Sequence, residues 1–202
     1  MRKLLIGLAA LAAWACSDST SPNPGETTKP TSQLHIVAQA LAAPPLFAES
    51  TSFWAKYDSN RVGRLYYQGA APGDTGEELL RFIVPAGSLL RRPDGTLFGP
   101  GDSILITIKA DTSQFIFTFE PTGLQFDPLA PARLHIQFSD ANQDFDDDGK
   151  ITASDSVAKS KLVLWRREPT DTAWTAMTSL LSEESDEIES NITSFTEYAV
   201  AW

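Results

Sequence analysis

The chain has 202 residues, a formal net charge of −10 and one cysteine. This length predicts a single domain, and one cysteine excludes an intramolecular disulfide. The acidic balance, without a basic stripe, argues against nucleic acid as a partner, because nucleic-acid binding replaces phosphate counterions with Lys and Arg. The 11 Phe and 5 Trp residues favour strands and large buried rings.

Residues 1–15 have the pattern of a signal peptide. A basic pair precedes an apolar run over residues 4–13, which is too short to span a bilayer. Cys16 follows, with the small Ala13 and Ala15 before it. The segment resembles a bacterial lipobox, and the resemblance implies a lipid on Cys16 that attaches the chain to a membrane. The alternative is an ordinary secretory peptide followed by a stray cysteine.

The residues that follow the cysteine predict the membrane in which the protein is located and the tether that links it to the domain. Ser17 is not the acidic residue that retains such lipoproteins at the inner membrane, so the resemblance implies the outer membrane, on its periplasmic or surface face. Residues 16–33 are rich in Ser, Thr and Pro and predict a disordered tether. Residues 34–202 then form the predicted domain.

Alternating apolar and polar residues predict strands along most of this domain. The clearest runs are residues 104–109, 115–120 and 134–138, in which one face is apolar. Further strands are predicted over residues 52–57, 64–68, 79–84, 161–167, 174–180 and 190–202.

Three segments of the domain predict something other than a regular strand. Residues 34–47 are apolar but contain Pro44 and Pro45, which predicts an edge strand or a packing segment and no helix. Residues 182–189 predict an acidic loop, and residues 154–159 allow one helical turn. About eight or nine short strands, with turn signals between them and no long helical period, predict an all-β fold, a single antiparallel β-sandwich.

The order of these pieces resembles the β-sandwich module shared by zonula occludens proteins, netrin receptors and ankyrins, in its bacterial lipoprotein form. The similarity covers residues 79–202. The matching residues are 82–89, 104–108, 119–126, 131–138 and 194–198. The resemblance implies an antiparallel sandwich that makes contacts and has no catalytic activity. The acidic loop at residues 144–155 is an insertion relative to the eukaryotic members.

The inserted loop at residues 144–155 has the spacing of an EF-hand calcium loop. Acids occupy positions 1, 3 and 5 (Asp144, Asp146 and Asp148), Gly149 occupies position 6, and Asp155 occupies position 12. Alternate carboxylates fold around one point while the glycine permits the sharp turn. The sequence therefore predicts a calcium ion. The alternative is a solvated acidic loop.

Three other loop residues have predicted parts in this site. Lys150 supplies its backbone carbonyl, Thr152 contributes directly or through water, and Ile151 anchors the loop to the core. Aspartate at position 12 resembles the loop of dockerins, which carry two such loops. Only one is present here, so the resemblance implies the ligand roles and not the docking function.

Other candidate residues have plainer interpretations. His35 and His135 lack ligand spacing, and His135 is predicted to face solvent. Glu120 and Asp127 lie beside prolines as turn-flanking carboxylates, which is favoured over a glycosidase pair. Four tryptophans at strand positions are predicted to pack in the core rather than form a sugar platform. They are Trp54, Trp165, Trp174 and Trp202.

Three function classes remain open at this point. The first is a lipid-anchored interaction or structural module of the cell envelope, without catalysis, that binds calcium and an unknown protein. The second is a calcium-braced glycan-binding module, which solvent exposure of Trp54 or Trp174 in a coplanar row would favour. The third is a hydrolase with dispersed carboxylates, which two close carboxylates with a raised pKa in a cleft would favour.

Overall fold

A computed structural model describes residues 27–202. The signal segment, Cys16 and the tether up to residue 26 lie outside the described residues. The strands before the acidic loop are β1 Thr28–Pro30, β2 Ser50–Lys56, β3 Arg61–Gln68, β4 Thr75–Val84, β5 Leu89–Arg91, β6 Ser103–Ala110, β7 Ile116–Glu120, β8 Gln125–Phe126 and β9 Ala132–Gln137. After the loop come helix α1 Ala153–Lys159 and strands β10 Val163–Arg167, β11 Ala173–Ala176, β12 Ser179–Ser182, β13 Glu187–Ile192 and β14 Glu197–Ala201.

The strands form an all-β sandwich, as predicted. The first sheet has seven strands in the order β1-β11-β10-β14-β7-β6-β2, and the second has five in the order β12-β13-β9-β4-β3. Both sheets are antiparallel throughout. The strands predicted around residues 104–109, 115–120 and 134–138 are β6, β7 and β9. The helical turn predicted near residues 154–159 is α1.

Aromatic rings fill the space between the two sheets. Phe119 on β7 meets Phe82 on β4 with ring centroids 5.1 Å apart, and Phe195 lies 5.2 Å from Phe119. Tyr198 packs edge-on against Phe119 at 5.3 Å. All four side chains are buried. Edge-to-face and tilted rings at these separations add to the burial of apolar surface, so this layer holds the sheets together.

The boundary of the predicted tether is wrong for its last part. Thr28–Pro30 pairs with β11, and residues 31–33 form a short 3-10 helix. The hydroxyl of Thr31 accepts hydrogen bonds from Trp174 Nε1 and Arg167, each at 3.2 Å. Leu34, directly after this segment, packs with Trp165 and Trp174 in an apolar cluster on the outer face of the first sheet.

The C-terminal part of the chain also departs from the prediction. The single strand expected over residues 174–180 is two strands in different sheets, β11 and β12. The acidic loop expected over residues 182–189 is a β-hairpin, in which β12 pairs with β13 and Asp186 adopts a φ of 50° in the turn. Aspartate tolerates left-handed backbone in such a turn, and Ser190, a polar residue buried between Ile188 and Ile192, hides the apolar alternation of β13.

Residues 34–47 are the predicted packing segment and contain no helix. Val37 donates its amide to Val200 in the first sheet at 2.9 Å, and Leu46 bridges to Tyr67 in the second. The segment therefore crosses one end of the sandwich from sheet to sheet.

The aromatic layer makes a direct prediction about stability. Phe119→Ala removes a fully buried ring that contacts both sheets, so the free energy of unfolding should fall by about 3–5 kcal/mol. Chemical denaturation of the chain from residue 17 onward measures this change. The exposed Leu129 is the control, and Leu129→Ala should stay within about 0.5 kcal/mol of the parent. A loss below about 1 kcal/mol for Phe119→Ala would contradict the assignment of the layer.

Candidate metal centre

The acidic loop lies where the chain passes from the second sheet to the first. It follows β9, continues into α1 and leads to β10. Phe145 is buried in the core, and its carbonyl accepts a 2.9 Å hydrogen bond from Trp202 Nε1. The predicted anchor Ile151 is instead 74% exposed. The anchor is therefore Phe145, because it is the apolar residue that the loop directs toward the core.

Three carboxylates converge at the beginning of the loop. Asp144, Asp146 and Asp148 each place one carboxylate oxygen within 4.8 Å of the others. Their side chains are half-buried or exposed. This group of three could hold a metal ion, and at neutral pH its charges repel one another when no cation is bound.

Backbone amides of the loop orient these carboxylates. The Gly149 amide donates to Asp144 Oδ2 at 2.9 Å, and the Lys150 amide donates to Asp148 Oδ1 at 2.8 Å. The Asp148 amide contacts Asp144 Oδ1 at 3.1 Å and Asp146 Oδ1 at 3.3 Å. The turn requires left-handed backbone at Asp147 and Gly149, with φ values of 57° and 81°. The alternate spacing of the three aspartates in the sequence thus places their carboxylate oxygens close together before any ion binds.

Asp155, the predicted ligand at position 12, contacts backbone amides of the loop. It is only 3% exposed and is not one of the three converging carboxylates. Its Oδ1 accepts from the amides of Phe145 at 2.7 Å and Asp146 at 3.2 Å, and its Oδ2 accepts from Thr152 at 2.7 Å. The hydrogen bonds from these amides, chiefly that of Thr152, hold the pKa of Asp155 below its usual range. Asp155 therefore fastens the end of the loop to its beginning.

The other predicted ligands also serve the loop backbone. Thr152 is the N-cap of α1, and its hydroxyl accepts from the Ser154 amide at 3.3 Å. With Asp155 it forms a capping box, which satisfies amides at the start of the helix. Lys150 contributes its amide to Asp148, and its side chain is exposed.

The remaining sequence candidates have separate surroundings. His35 stacks on Trp202 with ring centroids 4.4 Å apart, and its Nδ1 lies 4.0 Å from a carboxylate oxygen of Asp147. His135 points outward from the second sheet, as its alternation predicts, but its side chain is only 14% exposed and Nδ1 lies 2.8 Å from Glu187. His135 sits in a row of ion pairs on the outer face of the second sheet, so burial by neighbouring charged side chains explains the difference.

The predictions for the turn-flanking carboxylates agree with the structure, whereas those for the tryptophans agree only in part. Glu120 pairs with Lys109 at 2.8 Å, and Asp127 accepts from the Leu129 amide at 2.9 Å, which fits the turn interpretation. Trp165 and Trp174 are buried, as predicted. The prediction fails at Trp54, which is 57% exposed because it lies on the outward side of the edge strand β2.

One acidic pair was not found from the sequence. Asp140 has a raised pKa, through burial and through the charge of Glu77. The hydroxyl of Tyr67 nearby is buried and has no hydrogen-bond partner among residues 27–202, and burial raises its pKa. Glu77 and Asp140 are far apart in the chain and meet only because β4 and β9 are neighbours, so no spacing pattern could have revealed them.

The chain was compared with protein-family models, curated proteins and solved structures, and none of them matches it. Within the described residues no helix is long and apolar enough to cross a membrane. The fold and the site therefore define an all-β sandwich with an acidic loop that could hold a metal ion.

The hydrogen bonds of Asp155 predict a pH-dependent contribution to stability. Asp155→Asn replaces a carboxylate that accepts hydrogen bonds from three backbone amides. We expect a lower melting temperature at pH 7, because the hydrogen bonds to the charged group are weakened. The folded-state pKa is below the ordinary value of 3.8, so this contribution is present above about pH 4 and is lost as the pH falls through the lowered value.

Thermal melts of both chains between pH 7 and pH 2 measure this effect. The difference between parent and variant should be full at neutral pH and should shrink in the acid range. Asp147→Asn, in the same loop but with an exposed side chain, should change little. A difference between parent and Asp155→Asn that grows toward low pH would contradict the interpretation.

Proposed function

We propose that this protein is a lipid-anchored module of the bacterial cell envelope that makes contacts without catalysis and is stiffened by one calcium ion. The group formed by Asp144, Asp146 and Asp148 carries this proposal. The membrane attachment through Cys16 and the outer-membrane location are supported by the sequence pattern of residues 1–17.

The chemistry of the loop favours calcium among the common metal ions. The group offers carboxylate oxygens and no imidazole or thiolate, which suits a hard cation rather than zinc or copper. Calcium accepts six to eight oxygens in flexible geometry, and backbone carbonyls and water complete such a shell. Magnesium requires a near-ideal octahedron and keeps most of its water, which suits a half-exposed loop less well.

The position of the loop suggests what the ion does. The loop and α1 connect β9 of the second sheet with β10 of the first. Asp155 already fastens the loop by hydrogen bonds to Phe145 and Thr152. A bound cation would remove the repulsion among the three carboxylates and so stabilise the first part of the connection between β9 and β10. The ion therefore acts as a brace between the two sheets.

Calorimetric titration of calcium into the chain from residue 17 onward tests the metal assignment. We expect one site with a dissociation constant of about 10⁻⁵ to 10⁻³ M. Calcium at about ten times this constant should raise the free energy of unfolding by about 1.4 kcal/mol, and a chelator should reverse the gain.

Matched variants locate the ion. Asp148→Asn should weaken calcium binding at least about tenfold, because it removes one of three converging carboxylates. Asp171→Asn removes the same charge at an exposed turn and should leave the titration unchanged. Equal affinity of Asp148→Asn and the parent would place the ion elsewhere, and tighter binding of magnesium than calcium would contradict the choice of metal.

Two substitutions test the anchor. Cys16→Ser removes the only cysteine and should move the protein from the membrane fraction to the soluble fraction of the cell. Ser17→Asp introduces an acid next to the lipid-bearing position and should shift the protein from the outer to the inner membrane, while Ser17→Ala should not. Fractionation with immunoblotting measures both. A Cys16→Ser protein that stays in the membrane fraction would contradict lipid anchoring.

A further inference from the structure

The outer face of the first sheet carries an uncovered aromatic side chain at one edge. Trp54 on β2 is 57% exposed and lies opposite Leu105 on β6, which is 45% exposed. Within the described part of the chain the Trp54 indole Nε1 makes no hydrogen bond. Both a flat apolar surface and a hydrogen-bond donor are therefore presented to solvent at this edge.

Polar side chains continue this surface along the same strands. Ser52 Oγ and Thr107 Oγ1 lie 2.8 Å apart, which shows that these two neighbours of Trp54 and Leu105 share their face of the sheet. Thr107 lies opposite Glu120, and Glu120 is neutralised by Lys109 at 2.8 Å. The surface thus combines apolar area and hydroxyl groups with an ion pair whose charges cancel.

A shallow cavity adjoins the aromatic platform. It measures about 470 Å³ and is lined by Leu105, Thr107, Glu120, Pro121 and Thr122. Because Leu105 belongs both to this lining and to the pair with Trp54, the platform and the cavity form one continuous surface.

We propose that this surface binds a neutral saccharide chain. One face of a sugar ring is made of C–H groups and packs on an aromatic plane, while its rim of hydroxyls requires hydrogen-bond partners. Trp54 offers the plane, and Thr107, Glu120 and Thr122 offer the partners.

The same residues disfavour other occupants. An apolar protein surface would have to cover the Lys109–Glu120 ion pair without replacing its water, which is costly. Among the described residues, an acidic polymer would meet a single exposed cation without an ion pair beside Trp54, Lys56 on the same strand, and a net charge of −10 on the chain. A neutral polar chain with apolar faces is the ligand that satisfies both conditions.

This inference does not depend on calcium. No residue of the loop at residues 144–155 lines the cavity. Saccharide binding and calcium binding can therefore fail separately, and a chelator distinguishes them.

Isothermal titration of the chain from residue 17 onward with soluble cellohexaose, xylohexaose and mannohexaose tests the proposal. At least one of the three should bind with a dissociation constant below about 10 mM. Trp54→Ala should weaken that binding at least about tenfold, and Trp54→Phe, which keeps an aromatic plane, should retain most of it. Leu180→Ala, at an exposed apolar residue of the second sheet, is the matched control and should change nothing.

Each contrary result overturns the proposal. These are the absence of binding to all three oligosaccharides, equal affinity of Trp54→Ala and the parent, and loss of binding in Leu180→Ala. The chelator EDTA should leave the affinity unchanged, and a requirement for calcium would move the saccharide to the metal loop. Circular dichroism tests whether Trp54→Ala remains folded, and we expect that it does because the position is exposed.

Discussion

The packing of phenylalanine rings between two antiparallel sheets is the contact on which the rest of this structure depends. Phe119 of the first sheet meets Phe82 of the second at 5.1 Å, and Phe195 contacts both rings. Neither sheet can bury its apolar face alone, so the two form together or not at all. Every other feature, including the acidic loop and the exposed edge, is positioned by how the strands align across this layer.

The acidic loop adds an electrostatic constraint at one end of the sandwich. Three carboxylates within 4.8 Å of one another repel, yet the loop stays closed because Asp155 accepts amides from both of its ends. Asp155 therefore closes the loop, and the three converging aspartates form the cluster of negative charge. Asp155 joins the two ends of the loop by hydrogen bonds, while Asp144, Asp146 and Asp148 form the group that could hold a metal ion.

Local alternation was enough to predict the main strands, because residues such as Phe117 and Ile106 are buried on one face of the sheet and the pattern records that directly. Contacts between distant segments could not be predicted. Ile151 is apolar and was predicted to anchor the loop in the core, yet it is exposed and Phe145 is the buried residue. Residues 28–33 have the composition of a linker, yet residues 28–30 pair with β11 and Thr31 accepts a hydrogen bond from Trp174. Backbone pairing of this kind leaves no apolar pattern in the sequence.

The outer faces of the two sheets are treated in three different ways. Ion pairs cover part of the second sheet, with Arg81 between Glu78 and Glu187. Leu34 and the hydroxyl of Thr31 cover the part of the first sheet where Trp165 and Trp174 point outward. Trp54 itself stays exposed, although Lys109 and Glu120 form an ion pair on the same face. An exposed indole beside hydroxyl groups and a shallow cavity is the kind of surface that marks an interaction site.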